Sequence, residues 1–398
     1  MRQVYSCLFG STSARGVAHV AHVAVLGLAM LSVACGSNDD DADASRGGQA
    51  ASPQFLEASA YGDLVTIAPT FPFGVTRKHS VTGGVLAARW GNHDGPVITT
   101  SDFAAPASPL KVSRLTLPAE AVGPATRAEL TSTLATDLPE ERFWTTEGFV
   151  DLPFGSLSMV SYSSSPPVFA GELLFYSKDY DRVVSRAHVN GYYGGLGLVD
   201  GSTQRIVYTG LSKIASAPLT DSENALWATN ICGESVAPTG SCTDSVKLFG
   251  WAGNSGPVTA DADGNVFVAA SLSSGAFTEV VYALTKAQAL GSAPARQATA
   301  LERAGQGTSS LATASKPGSG KGWIVTKGFD FDGPATTYAR AYRSSGTEIV
   351  SDGEMVENAI AAVSPEASTS FFSDPQGHLW VAVESATASW LLELEPKP

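Results

Sequence analysis

Apolar residues in this chain come in short runs, each introduced by a polar, glycine-bearing turn. Asp261-Ala-Asp-Gly264-Asn leads into Val266-Phe-Val-Ala-Ala270, and Asp374-Pro-Gln-Gly377-His leads into Leu379-Trp-Val-Ala-Val383. Between them, Gly318-Ser-Gly-Lys-Gly322 leads into Trp323-Ile-Val-Thr326. Aligning Val266, Trp323 and Leu379 gives spacings of 57 and 56 residues. Glu223-Asn-Ala-Leu226-Trp-Ala-Thr229 is an earlier match, with Leu226 lying 40 residues before Val266, and Gly83-Gly-Val85-Leu-Ala-Ala-Arg-Trp90 is a weaker one. A second apolar run follows two of the turns, at Glu279-Val-Val-Tyr-Ala-Leu284 and at Ser389-Trp-Leu-Leu-Glu-Leu394.

The physics of such a unit is simple. An Asp-x-x-Gly turn reverses the chain, because glycine takes positive φ at no steric cost. A β-branched and aromatic strand then enters a sheet. One small sheet cannot bury two apolar faces, so several must pack face to face around an axis, which is a β-propeller. Roughly 345 residues at about 40–57 per unit predict an all-β propeller of about seven blades, with six as the runner-up. A two-sheet sandwich also satisfies the strand composition. The first half, 54–200, is less regular. Leu130, Leu134 and Leu138 within 126–142 have helical spacing and predict one short helix.

The Asp-x-x-Gly-x-Leu-Trp unit resembles the blades of NHL-type, lactonase-type and streptogramin-lyase-type propellers. The resemblance covers about residues 220–398. It implies the architecture and leaves the activity open, since this scaffold hosts many. A lactonase-like hydrolase would bring Glu, Asn and Asp to a metal in a central channel. Asn92, Asp94, Asn230 and Glu384 are candidates, and nothing in their spacing selects them.

The N-terminus carries an address. Arg2 and Arg15 precede an apolar stretch, 16–34, whose core Val23–Leu31 is too short for a comfortable span. Leu31-Ser-Val-Ala34-Cys35 resembles a lipobox, although Ser32 stands where an aliphatic residue is usual. The resemblance implies cleavage before Cys35 and lipid on its sulfur, and Gly36 favours the outer membrane. Residues 36–53 lack apolar bulk and read as a disordered acidic tether. The expected organisation is a signal peptide at 1–34, a lipidated cysteine and tether at 35–53, and the propeller at 54–398. Cys7 leaves with the signal. Cys232 and Cys242 flank a Gly/Pro-containing loop and predict a disulfide, stabilising by about 2–3 kcal/mol.

Composition agrees with short strands and tight turns: 40 Gly and 22 Pro, with only 16% charged residues. The net charge of −13, with no basic run after residue 35, argues against nucleic acid and against electrostatic docking on anionic lipid.

Candidate chemistry is sparse. Ser315-Lys-Pro-Gly-Ser-Gly-Lys321-Gly looks like a phosphate-binding loop but lacks its first glycine and its closing hydroxyl, and so reads as a turn. Gly253-Asn-Ser255-Gly-Pro faintly resembles a serine-protease nucleophile region, without the histidine context that serine catalysis requires. The histidines after residue 35 are His79, His93, His188 and His378, and His378 reads first as a turn residue. Asp261/Asp263 and Asp330/Asp332 offer oxygen to calcium but lack a full calcium loop. Asp261, Gly264, Asp374 and Gly377 are therefore read as repeat turns. Trp90, Trp227, Trp251, Trp323, Trp380 and Trp390 read as packing between blades, whereas Tyr192-Tyr193 suits an exposed contact.

The first expectation is a lipid-anchored binding or scaffold propeller of the outer membrane, with a protein or carbohydrate partner. No cofactor is expected, calcium at most, and no catalytic residue is selected. The second expectation is a metal-dependent hydrolase or lyase on the same fold.

Overall fold

The computed structural model describes residues 53–90, 95–100, 111–129, 142–152, 155–163, 169–176, 183–189, 196–200, 205–213, 223–230, 246–272, 278–293, 298–304, 306–315, 318–330, 337–349 and 355–398. The chain divides into two units, Met1–Ala51 and Ser52–Pro398, and the described residues all belong to the second. The expected signal peptide, Cys35 and most of the tether lie outside them.

The unit is all-β and propeller-like. An opening sheet joins Ala88–Trp90, Pro96–Thr100, Lys111–Thr116 and Thr126–Glu129, each antiparallel to the next. A second sheet joins Arg142–Leu152, Gly155–Ser163, Phe169–Tyr176 and Val183–Val189 in the same manner. A long seven-stranded sheet runs through Leu196–Asp200, Arg205–Lys213, Glu223–Asn230, Val246–Ala260, Val266–Leu272, Thr278–Leu284 and Ala298–Ala304. A fourth sheet holds Gln306–Ser315, Lys321–Asp330, Thr337–Ser345 and Glu348–Ile349, with Met355–Glu357 beside its third strand. The closing sheet holds Ser368–Ser373, Leu379–Glu384 and Ser389–Pro396, and is completed by Phe73–Val81 from the other end of the chain. Val122–Pro124 adds a parallel edge to it. Four of these sheets are thus separate and of blade size. The sandwich alternative, two large sheets face to face, is not what forms.

The long sheet has a joint. The first part of Val246–Ala260 pairs with Glu223–Asn230, and from Gly253 onward the same strand pairs with Val266–Leu272. Gly253 has φ +131, and a Cβ there would lie 2.0 Å from the Ser271 carbonyl oxygen. Only glycine lets the chain pass at that point. The leading strands of successive units are neighbours in a closed circuit. Ser368–Ser373 approaches Ala88–Trp90, then Arg142–Leu152, Leu196–Asp200, Val246–Ala260 and Gln306–Ser315 follow in turn, and the last returns to Ser368–Ser373. Hydroxyls tie part of this circuit: Ser310 Oγ donates to the Phe371 carbonyl at 3.2 Å, and Thr313 Oγ1 donates to the Ala260 carbonyl at 3.2 Å.

Sheets pack through both faces, which explains why the strands read as continuous apolar runs rather than alternating ones. Val266, Val268 and Ala270 face Val207, Leu226 and Ala228, whereas Phe267 and Ala269 face Leu311, Ile324 and Tyr342. In the closing sheet, Leu379, Val381 and Val383 face Ala312, Ala314 and Val325, whereas Trp380 and Ala382 face Val85, Ile98 and Leu115. Each large side chain buried this way contributes about 1.5–3 kcal/mol.

Three sequence readings need correction. Trp323 packs with Val325 toward the closing sheet, so its counterparts are Phe267 and Trp380 rather than Val266 and Leu379. The Gly318–Gly322 turn differs by one residue from the Asp turns, and one residue reverses a strand's faces. The Leu226 match lies on the third strand of its unit, so its 40-residue spacing is not a blade period. Thr126–Glu129, assigned to a short helix, is an edge strand paired with Lys111–Thr116, and 130–141 lie outside the described residues. The α-helix that does occur among the described residues, Lys286–Ala289, begins with a Thr285/Gln288 capping box. No helix among them is long and apolar enough to cross a membrane.

Candidate functional site

Two Asp-x-x-Gly turns share one geometry. Asp261 Oδ1 accepts from the backbone N–H of Asn265 at 2.8 Å, and Oδ2 accepts from Asn265 Nδ2 at 2.9 Å. Asp374 Oδ1 accepts from the backbone N–H of His378 at 2.9 Å, and Oδ2 faces His378 Nδ1 at 2.8 Å. Gly264 and Gly377 sit at φ +82 and +83, each donating its N–H to the carbonyl of the aspartate. His378 therefore takes the place of an amide donor. Burial raises the Asp261 pKa, opposed by the hydrogen bonds from Asn265.

The second turn does more than reverse the chain. Asp374 Oδ2 also accepts from Trp380 Nε1 at 3.0 Å, and His378 Nδ1 lies 3.2 Å from Glu393 Oε1. Glu393 stands opposite Trp380 on one side and opposite Arg77 of the N-terminal strand on the other. Arg77 Nη1 is 3.6 Å from Glu393 Oε2, and Arg77 Nη2 donates to the Pro118 carbonyl. The Asp374 and Glu393 side chains are 2% and 7% exposed, so these charges meet away from water. Hydrogen bonds to Asp374 first, then to Glu393, raise the His378 pKa to about 10 against the opposing effect of burial. His378 is an imidazolium at neutral pH, its Nδ1–H held between two carboxylates.

Asp374, His378 and Glu393 are the one group among the described residues whose ligand atoms converge as a metal would require, all within 4.8 Å. The donor set does not fit an ion. Metal ligation needs a bare imidazole nitrogen, whereas the two carboxylates favour a proton on His378 Nδ1, and Asn265 presents an N–H at the same place in the other turn. Trp380 already occupies Asp374 Oδ2, and the Arg77 guanidinium adds positive charge beside Glu393. The arrangement is a charge-assisted network on the seam between the two ends of the chain.

The remaining candidates lie as follows. Asp263 turns away from Asp261. Its carboxylate accepts the N–H groups of Gly318 and, at 3.3 Å, of Gly320 in the neighbouring sheet. The phosphate-loop-like string is thus a turn, at φ +72 and +60, whose N–H groups hold an internal carboxylate. Gly253-Asn-Ser255 is the joint of the long sheet. Asp330 ends a strand, while Asp332 lies outside the described residues. Glu384 accepts the N–H groups of Val85 and Leu86, Asn230 ends the strand Glu223–Asn230, and Asn92 and Asp94 lie outside the described residues, so no channel-mouth set forms among those described. His188 lies on Val183–Val189. His79 lies on the N-terminal strand. His93, Tyr192, Tyr193, Cys232 and Cys242 are outside the described residues. Trp90 and Trp380 meet with ring centroids 5.1 Å apart and tilted by 35° between the opening and closing sheets, and Lys78 lies 4.6 Å over Trp390. A cleft of about 140 Å³, lined by Lys327, Asn358, Ser364 and Thr369 among others, lies between the fourth and closing sheets.

Sequence reasoning found Asp374 and His378 but missed Glu393 and Arg77. The signal was a charged residue inside an apolar run, Trp390-Leu-Leu-Glu393-Leu394, together with Arg77 in a strand at the far end of the sequence.

No family model and no curated protein matches the sequence. Among solved structures, the soluble aldose sugar dehydrogenase of Escherichia coli in its apo form superposes with a TM-score of 0.47 at 10% identity, over 84% of this chain and 100% of that one. A protein of unknown function from Dyadobacter fermentans gives 0.45 at 8% identity, over 84% and 98% of the two chains. A polysaccharide lyase, an ulvan lyase bound to its saccharide, gives 0.39 at 8% identity over 78% of each chain.

Proposed function

We propose that this chain is a lipid-anchored, six-bladed β-propeller that binds or scaffolds a protein or carbohydrate partner at the bacterial outer membrane. Six blades follow from dividing the long sheet at Gly253. The leading strands then begin at residues 88, 142, 196, 253, 306 and 368, which are 53 to 62 residues apart. The expectation of seven came from counting the 40-residue spacing as a blade.

The observation that carries the binding reading is the state of the Asp374–His378–Glu393 group. Asp374 Oδ1 and Oδ2, His378 Nδ1 and Glu393 Oε1 are engaged within and between strands, and the other Asp turn makes its bonds with an amide. Anchoring rests on the lipobox-like Leu31–Cys35 and the acidic tether behind it, and a Cys232–Cys242 disulfide belongs to the same exported setting.

Metabolic labelling with a radioactive fatty acid, alongside metal analysis of the purified full-length protein, tests this reading. Label on the wild type, its loss in Cys35→Ser, and no stoichiometric metal are expected. Absence of label overturns the anchor. Tightly held calcium or zinc at one ion per chain overturns the binding reading and restores a metal-dependent hydrolase or lyase.

A further inference from the structure

The strand that completes the closing sheet, Phe73–Val81, has no covalent link to its neighbours there. It is held by pairing with Ser389–Pro396 and with Val122–Pro124, by Glu393, by Phe73 and Val75 in the cluster shared with the fourth sheet, and, in its second half, by what its face meets on the opening sheet. His79 stands at the centre of that face with 0% exposure. It lies opposite Leu391 on one side and Gly123 on the other, in register with Ala382 beyond Leu391, and Leu391, Ala382 and Val81 belong to the buried cluster that also holds Leu115.

The imidazole is held in one state. Nδ1 lies 3.3 Å from the Gly123 carbonyl, an acceptor, so Nδ1 carries the proton. Nε2 is then bare, and it is buried with no hydrogen-bond partner. A second proton would place an N–H with no acceptor and a positive charge in an apolar seam, which is the costly outcome. The charged groups around it do not favour that charge. Burial first, and then the field of Arg77 two residues away on the same face, lower the His79 pKa below the usual value. Glu393, on the adjacent strand, opposes this but is already committed to Arg77 and His378, with Asp374 behind it. From the opening side come Arg127, which donates to the Thr82 carbonyl at 3.0 Å, and Glu384, which is bound to the Val85 N–H. Glu129 and Glu120 of that side are exposed. Among the described residues, none accepts a hydrogen bond from Nε2.

We propose that the N-terminal strand is an acid-sensitive latch: protonation of His79 loosens Phe73–Val81 from the opening sheet and opens the ring at its seam, leaving the other sheets intact. His378 does not share in this response, because it is already protonated across the same range. The latch pairs the two ends of the chain, so acid would release the ring where they meet, with Val65–Ile67 still paired to Ile360–Ala362.

Hydrogen exchange of the full-length protein in detergent, followed by mass spectrometry and corrected for intrinsic rates, tests the latch. Between about pH 7.5 and about pH 5.5, protection of Phe73–Val81 and Ser389–Pro396 should fall about tenfold relative to Val266–Leu272 and Thr278–Leu284. In His79→Gln the fall should vanish. Equal pH response in the two sheets of the wild type overturns the proposal, whether or not the variant folds. A fall that persists in a folded His79→Gln protein overturns it as well.

Discussion

Two units of this chain, separated by the fourth sheet, solve one problem differently. In the unit that follows Gly253, the row beside the Asp turn reads Phe267, Ala283 and Ala298 across three strands. In the closing sheet the same row reads Trp380, Glu393 and Arg77. The turns share the bonds from the aspartate to the fourth residue on, Asn265 in one and His378 in the other. The difference lies in connectivity. Ala298 follows Ala283 along the chain, so the loop between them sets the register. Arg77 and Glu393 come from opposite ends of the sequence, and nothing covalent sets theirs. Apolar contacts are non-directional, whereas a carboxylate held between an imidazolium and a guanidinium accepts one alignment. We read the network as the register device of the closing seam, a role for which buried ionic groups have precedent.

That comparison can be broken at several points. Glu393→Ala should have the largest effect, because it leaves Arg77 and the His378 cation facing an apolar seam. A loss of about 3–5 kcal/mol is expected from the urea midpoint. Ala283→Leu, a purely apolar change in the equivalent position, should cost less, by overpacking alone. Gly253→Ala attacks the covalent joint instead. Its Cβ meets the Ser271 carbonyl at 2.0 Å with φ at +131, and a loss of about 1–3 kcal/mol is expected on the same assay.

His378→Asn copies the other turn. It keeps an N–H for Asp374 and drops the bond to Glu393, at a cost of about 1 kcal/mol for a half-buried group. It should also change the pH profile. The folded pKa of about 10 lies above the unfolded value of 6.5. The contribution of His378 is therefore full below 6.5 and is lost as pH rises from there through about 10. Thermal melts should show that alkaline decline in the wild type and a flatter limb in His378→Asn. Asp263→Asn should have the smallest effect, about 0.5 kcal/mol, because its bonds to the Gly318–Gly320 turn are exposed.

The repeat was legible because its ingredients are local. An aspartate, a glycine three residues on and an apolar run are enough to specify a turn and a strand, and both faces of that strand are buried. The place of Leu226-Trp-Ala in its sheet was not legible, because this third-strand run has the same composition as the second strands it was matched to. Trp323 was shifted by one position for a related reason: a turn of different length preserves the apolar run while reversing its faces. The closing strand was beyond local reading altogether. Arg77 and Glu393 are 316 residues apart, and only the circuit of sheets brings them together.

The most direct test of the seam network is nitrogen-15 NMR of the histidine side chains across pH 5 to 9, with His378 assigned by comparison with His378→Asn. The account predicts an imidazolium with both ring nitrogens protonated through neutral pH, and a slowly exchanging Nδ1–H. A neutral ring at pH 7, or a His378 signal that shifts on adding one equivalent of zinc, would contradict it.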